Sequence, residues 1–185
     1  YLRRDSFFTG VSAGIVSSDR IVKMLNVVND ELVVEDKGIY SIEKFIIARR
    51  LMYWQVYLHK TVLSAEHLLV NILKRAKDLA EGGEELFCTP ALRLFLYNRF
   101  TKSAFIKRPE VLETFAALDD YDIMTSIKVW AQSIDTLLST LCHWMVNRNL
   151  YAVELQHKPF AGAYVDKRQK AAMKQLGIRK DDLHY

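Results

Sequence analysis

The stretch Ser41–Ala80, SIEKFIIARRLMYWQVYLHKTVLSAEHLLVNILKRAKDLA, decides how this chain reads. It contains neither glycine nor proline, and Gly38 and Gly82 bracket it. Apolar residues recur three and four apart, at Ile42, Phe45, Ile46, Met52, Val56, Val62, Leu69, Ile72, Leu73 and Ala76, which is the period of a helix. Ser41 is the expected N-cap, with Glu43 in the first turn. Lys74, Arg75 and Lys77 fall in the last turns, and Gly82-Gly83 is the stop signal. At ~1.5 Å per residue one such helix would run roughly 60 Å, longer than a domain of this size spans, so a bend is expected in the polar middle, Gln55 to Thr61.

One face of this helix carries chemistry. Arg49, Tyr53, Tyr57 and Lys60 follow at steps of four, four and three. At about 100° per residue they share roughly an 80° arc. Two readings stay open from spacing alone. One is a solvated or interfacial stripe. The other is an anion site with flat aromatic walls, in which arginine grips phosphate bidentately, lysine adds a point charge and tyrosine packs on a sugar or base.

Composition bounds the rest. The chain has 185 residues, half of them hydrophobic, enough to bury a core. Cys88 and Cys142 are too far apart to read as a metal or disulfide pattern, which suits a reducing, cytoplasmic setting. No apolar run approaches the ~20 residues of a membrane span. The chain opens on Tyr1 rather than methionine and is expected to be a piece of a longer protein. From Tyr1 to His157 there are 19 basic and 19 acidic residues, so the formal charge of +4 resides in residues 158–185. That basic tail reads as an amphipathic helix, Tyr164 to Leu176, with a solvated face. It lacks the interleaved aromatics of a nucleic-acid platform.

The remaining elements follow from their punctuation. Tyr1 to Val11 reads as the end of a helix broken at Gly10, and Ser18-Asp19 caps a short helix, Arg20 to Leu25. The runs Leu25–Val28 and Leu32–Val34, joined by Asn29-Asp30, read as a hairpin. Helices are expected over Pro90–Asn98, Pro109–Ala117, Tyr121–Gln132 and Asp135–Asn147, and a short strand over Tyr151–Leu155. Asp119, Asp120 and Asp122 read as helix caps rather than a metal site. There is no HExxH, phosphate loop, GxSxG or His-Asp doublet, and His59 and His67, eight apart, cannot ligate one ion together. The fold class is therefore mainly α: a helical bundle around one long central helix, with a hairpin at about 25–34 and a strand near 151–155.

Two motifs add a resemblance. Tyr1-Leu2-Arg3-Arg4-Asp5 through Gly10 resembles the D-Y-x-x-R-D-x-x-x-x-G stretch of the HD-domain phosphohydrolases, in the branch of the deoxynucleoside triphosphate triphosphohydrolases. Ala48 to Lys60 is similar to that family's A-R-x-x-M-x-x-x-V-Y-x-H-K helix. Leu118 to Asp122 and Asn147 to Leu150 resemble its distal helical region. The resemblance implies that Tyr1 and Asp5 hold a deoxyribose, that Arg49 binds triphosphate, and that Tyr57 packs where a 2′-hydroxyl would clash. Tyr53 joins this substrate-binding set from its place on the stripe. His59 and Lys60 match a pair near regulatory or inter-subunit contacts. Leu58 stands where some relatives carry a base-reading glutamine, so no base preference is implied.

The family's divalent-metal ligands are expected before Tyr1. The chain alone is then expected to bind no metal, to hold no catalytic residue and to be inactive, with hydrolysis belonging to the intact protein. The expected organisation is a helical part of an HD-type domain over residues 1–157 and a basic helical tail over 158–185. A homo-oligomer is expected from the unpaired strand and from apolar residues on several sides of the long helix, Trp54, Leu58 and Leu68 among them. The competing reading is a non-catalytic helical module for oligomerisation or nucleotide sensing.

Overall fold

The computed structural model describes residues 1–185, and the molecule is mainly α-helical with a single two-stranded sheet. It divides into two compact units, Tyr1–Leu63 and Ser64–Tyr185. No helix is long and apolar enough to cross a membrane.

In the first unit, α1 (Leu2–Thr9) stops at Gly10, whose φ of 72° supplies the left-handed cap. A 3₁₀ turn, Ser12–Gly14, brings the chain back across α1. A Cβ on Gly14 would lie 2.6 Å from the Leu2 carbonyl oxygen and 2.8 Å from Cβ of Ser6, so only glycine lets these backbones approach. Helix α2 occupies Ser18–Lys23, earlier than the expected Arg20–Leu25, because Leu25 belongs to the hairpin. Strands β1 (Leu25–Val28) and β2 (Glu31–Val34) pair antiparallel, Leu25 opposite Val34 and Val28 opposite Glu31. Asn29 and Asp30 turn the chain at φ 52° and 61°, the left-handed pair a tight hairpin requires.

The long helix is in fact two. Helix α3 (Ile39–Met52) begins after Gly38 and not at Ser41, so Ser41 caps nothing. A π-helical turn follows at Tyr53–Tyr57, closed by the Leu58 N–H on the Tyr53 carbonyl at 2.8 Å, five residues back. Helix α4 then runs Lys60–Glu81. The break falls inside the interval marked for a bend. Its agent is the wide turn, which gives up the i→i−4 ladder without proline or glycine.

The second unit holds the main core. The buried face of α4, with Leu68, Ile72, Ala76 and Leu79, packs with residues of α5 (Pro90–Tyr97), α8 (Asp120–Trp130) and α9 (Thr136–Asn147). Trp130 is 2% exposed, and its indole N–H donates to the Phe87 carbonyl at 2.8 Å. The unit also contains α6 (Lys102–Lys107), which periodicity missed because it is barely more than one turn, then α7 (Pro109–Ala117) and α10 (Gly162–Leu176). Asp119 and Asp122 form a capping box on α8.

The expected strand at Tyr151–Leu155 does not form. That segment is irregular, and β1–β2 is the whole sheet. The alternation that suggested a strand survives only in part: Tyr151 and Val153 are half-buried and Ala152 and Glu154 exposed, but Leu155 is exposed as well. Local side chains take the place of a partner strand: the Ser64 hydroxyl donates to the Tyr151 carbonyl at 3.1 Å, and the rings of Trp144 and Tyr151 meet edge to face.

Candidate functional site

The first unit gathers five of the sequence-marked side chains, Tyr1, Asp5, Arg49, Tyr53 and Tyr57, into one connected cluster together with Arg4. Gly14 permits the close approach of α1, and the π turn aims Tyr57 back at it. The Tyr57 hydroxyl donates to Oδ2 of Asp5 at 2.6 Å across 52 positions of sequence. On the other oxygen, Arg4 donates to Oδ1 of Asp5, through Nε at 2.8 Å and Nη2 at 2.7 Å. The Arg4 guanidinium also lies over the Tyr1 ring, 4.9 Å from its centroid.

On the helix, Tyr53 and Tyr57 pack edge to face at 5.0 Å. Arg49, one α-helical turn before Tyr53, sits 5.2 Å from that ring and donates to its hydroxyl at 3.3 Å. Arg49 makes no ion pair with a carboxylate. Of its five N–H donors, most remain for a ligand, and the guanidinium is exposed.

The protonation pattern follows from these contacts. The hydrogen bond from Tyr57, then that from Arg4, holds the Asp5 carboxyl below the usual carboxylate range. The same bond to Asp5, aided by burial, pushes the Tyr57 phenol above its ordinary value. At neutral pH the pair is therefore a carboxylate receiving a phenol proton donor. Asp5 keeps lone pairs for a further hydroxyl donor, and Tyr57 presents a ring fixed in place by its own bond. A fixed carboxylate, a rigid phenol wall and an uncommitted guanidinium are groups chemically able to accept from a hydroxyl and to pair with an anion.

His59 and Lys60 lie apart from this cluster. The His59 ring accepts the Thr61 N–H at 3.3 Å, and its backbone carbonyl accepts from Val62 and Leu63, so His59 caps the start of α4. Lys60 opens that helix with an exposed side chain. The break between π turn and α4 removes Lys60 from the regular register that placed it on the stripe. Arg4 is the member of the cluster to which neither the helical stripe nor the family resemblance assigned a role. Its role depends on α1 meeting the π turn, which no local spacing encodes.

The residues of this chain do not fit a metal centre. No three His, Cys, Asp or Glu side chains converge on one point. The single carboxylate of the cluster is taken up by a guanidinium and a phenol, an arrangement for hydrogen bonding rather than ligation.

Comparison with known proteins adds a lineage. The family model described as HD associated region matches residues 16–86. The chain is 34% identical over 179 residues to the uncharacterized protein YwfO of Bacillus subtilis, which covers 96% of this chain and 39% of that protein. It is also 34% identical over 137 residues to the uncharacterized protein MJ1154 of Methanocaldococcus jannaschii, covering 70% of this chain and 30% of the other. Among solved structures it resembles a phosphohydrolase from Bacteroides thetaiotaomicron, with a TM-score of 0.93 at 51% identity, over 100% of this chain and 46% of that one. The chain thus spans less than half the length of each of these proteins. The family model and the phosphohydrolase together support an HD-domain-related family for the chain.

Proposed function

We propose that this chain forms the sugar- and phosphate-binding wall of an HD-family phosphohydrolase that acts on deoxynucleoside triphosphates, releasing deoxynucleoside and triphosphate. The observation that carries the reading is the Tyr57–Asp5 hydrogen bond at 2.6 Å, with Tyr53 packed on Tyr57 and Arg49 beside it. In this role Asp5 accepts from the 3′-hydroxyl and Tyr1 borders the sugar. Tyr57 fills the space beside C2′, where a ribonucleotide would need room for its hydroxyl. Arg49 holds the triphosphate through its free guanidinium edge, and Tyr53 keeps that edge oriented.

Discrimination of this kind rests on a steric clash, which a missing phenol relieves. The test is steady-state hydrolysis by the whole protein with a deoxynucleotide and its ribonucleotide. Arg49→Ala should lower kcat/KM for the deoxynucleotide by 30-fold or more, as expected for loss of roughly 2 to 5 kcal/mol from a charge-assisted pair. Tyr57→Ala should reduce the deoxy-to-ribo ratio of kcat/KM about tenfold, within the range that steric selection supplies. An Arg49→Ala variant within twofold of wild type, or an unchanged ratio in Tyr57→Ala, would remove the nucleotide wall from this face.

The protein is also proposed to assemble as a homo-oligomer. The first unit leaves Phe7 82%, Phe8 76% and Trp54 59% exposed, apolar area that association would cover. A monomer by light scattering at high concentration of the whole protein would exclude this.

A further inference from the structure

In the second unit, α9, α10 and the segment beyond α10 line a half-open cavity of about 580 Å³. Protein interiors are close-packed, with few voids larger than a water molecule, whereas small-molecule sites occupy about 300–1,000 Å³. The walls are apolar and aromatic: Leu137 and Trp144 on α9, Ala172 and Leu176 on α10, Ile178 and Leu183 after it. Gly177, at φ 65°, turns the chain out of α10 so that the last two close the cavity.

One end is polar, and its charges cancel. Arg75 donates to both oxygens of Asp135, at 3.1 and 2.6 Å, and to Oδ1 of Asp182 at 3.2 Å. Arg179 donates to Oδ2 of Asp182 at 3.2 Å. Two guanidiniums face two carboxylates, and every carboxylate oxygen is engaged. An ionic ligand would find no unspent counter-charge there, while an uncharged apolar body gains from burial against the apolar walls.

We propose that this cavity is a binding site for an uncharged, largely apolar small molecule with an aromatic or alicyclic body, a site separate from the Asp5–Tyr57 cluster. The ligand lies between Trp144 and Leu176, its least apolar edge toward the spare N–H groups of Arg179.

The probe is N-phenyl-1-naphthylamine, an uncharged fluorophore, compared with its anionic sulfonate relative 1-anilinonaphthalene-8-sulfonate. Emission of the uncharged probe should rise saturably with one site per chain. Ala172→Trp and Thr140→Trp, which fill the cavity from opposite walls, should weaken its binding at least tenfold while circular dichroism reports an intact fold. Val70→Trp, in the shallower apolar groove beside Leu73 and Phe95, should leave it unchanged. Methyl NMR of the unmodified protein supplies a readout that needs no variant, with probe-induced shifts centred on the cavity-lining Leu137, Leu176, Ile178 and Leu183. Unsaturable binding, loss of binding in Val70→Trp alone, or methyl shifts centred elsewhere would overturn the site. Binding of the sulfonate as tight as that of the amine would overturn the uncharged class.

Discussion

The two units use their residues differently. The second buries a contiguous cluster from Leu68 to Cys142, whereas in the first only Ala48 and Met52 are buried apolar residues. The first unit instead carries the polar relay Arg4–Asp5–Tyr57 and the Tyr53–Arg49 contact, and it leaves phenylalanines, valines and Trp54 in solvent. A core gains stability by removing apolar surface from water. The proposed binding wall needs accessible donors and fixed rings, and residues arranged in that way contribute less to burial. The contrast suggests that stability and recognition can be perturbed separately.

The largest expected effect is Trp130→Ala. It empties the centre of the second unit and frees the Phe87 carbonyl, so stability should fall by about 4 kcal/mol, read from the urea midpoint. Ranking next, Arg75→Ala leaves Asp135 without a guanidinium and Asp182 with Arg179 alone, and should cost about 3 kcal/mol. Both changes act on the second unit. Acrylamide quenching of Trp54 fluorescence in the first should already be high before either mutation and change little after it.

Acid sharpens the contrast. Burial opposes ionisation of Asp135, but the Arg75 hydrogen bond and the Leu138 N–H outweigh it, and its pKa lies below the ordinary value. A depressed folded-state pKa means that its stabilisation is fully present above about pH 4 and is lost as pH falls through the depressed value. Asp5 has the same sign in the first unit. Arg75→Ala should therefore flatten the acid limb of the melting temperature measured from pH 5 to 2. Tyr57→Phe, in contrast, should shift it only slightly.

Thiol chemistry gives the smallest and cheapest comparison. Cys142 is fully buried, and burial pushes its thiol up to about 12. Its alkylation by iodoacetamide at pH 8 should wait for opening of the second unit. Partly exposed Cys88 should react first. Equal rates would mean that the second unit opens far more readily than its core implies.

Much of this molecule was legible in the chain. Gly10, Asn29-Asp30, Pro90, Pro109, Asp119 and Gly82-Gly83 punctuate elements through local conformational preference, and the structure has boundaries at or near each of them. The 3.6-residue period placed Arg49, Tyr53 and Tyr57 on one helical stretch for the same reason, since it needs only neighbours within one turn. Three features were decided by tertiary structure. The π turn replaced a continuous helix, because it trades one hydrogen-bond register for another at a cost that local periodicity does not register. The Tyr151–Leu155 alternation became an irregular segment, because a strand requires a ladder partner and alternation alone supplies none. The Asp5–Tyr57 bond and the Arg75–Asp135–Asp182 cluster join residues 52 to 107 positions apart. Contacts of that reach depend on how elements pack, as with the fit of Gly14 against α1, whereas helix and turn signals act over a few residues.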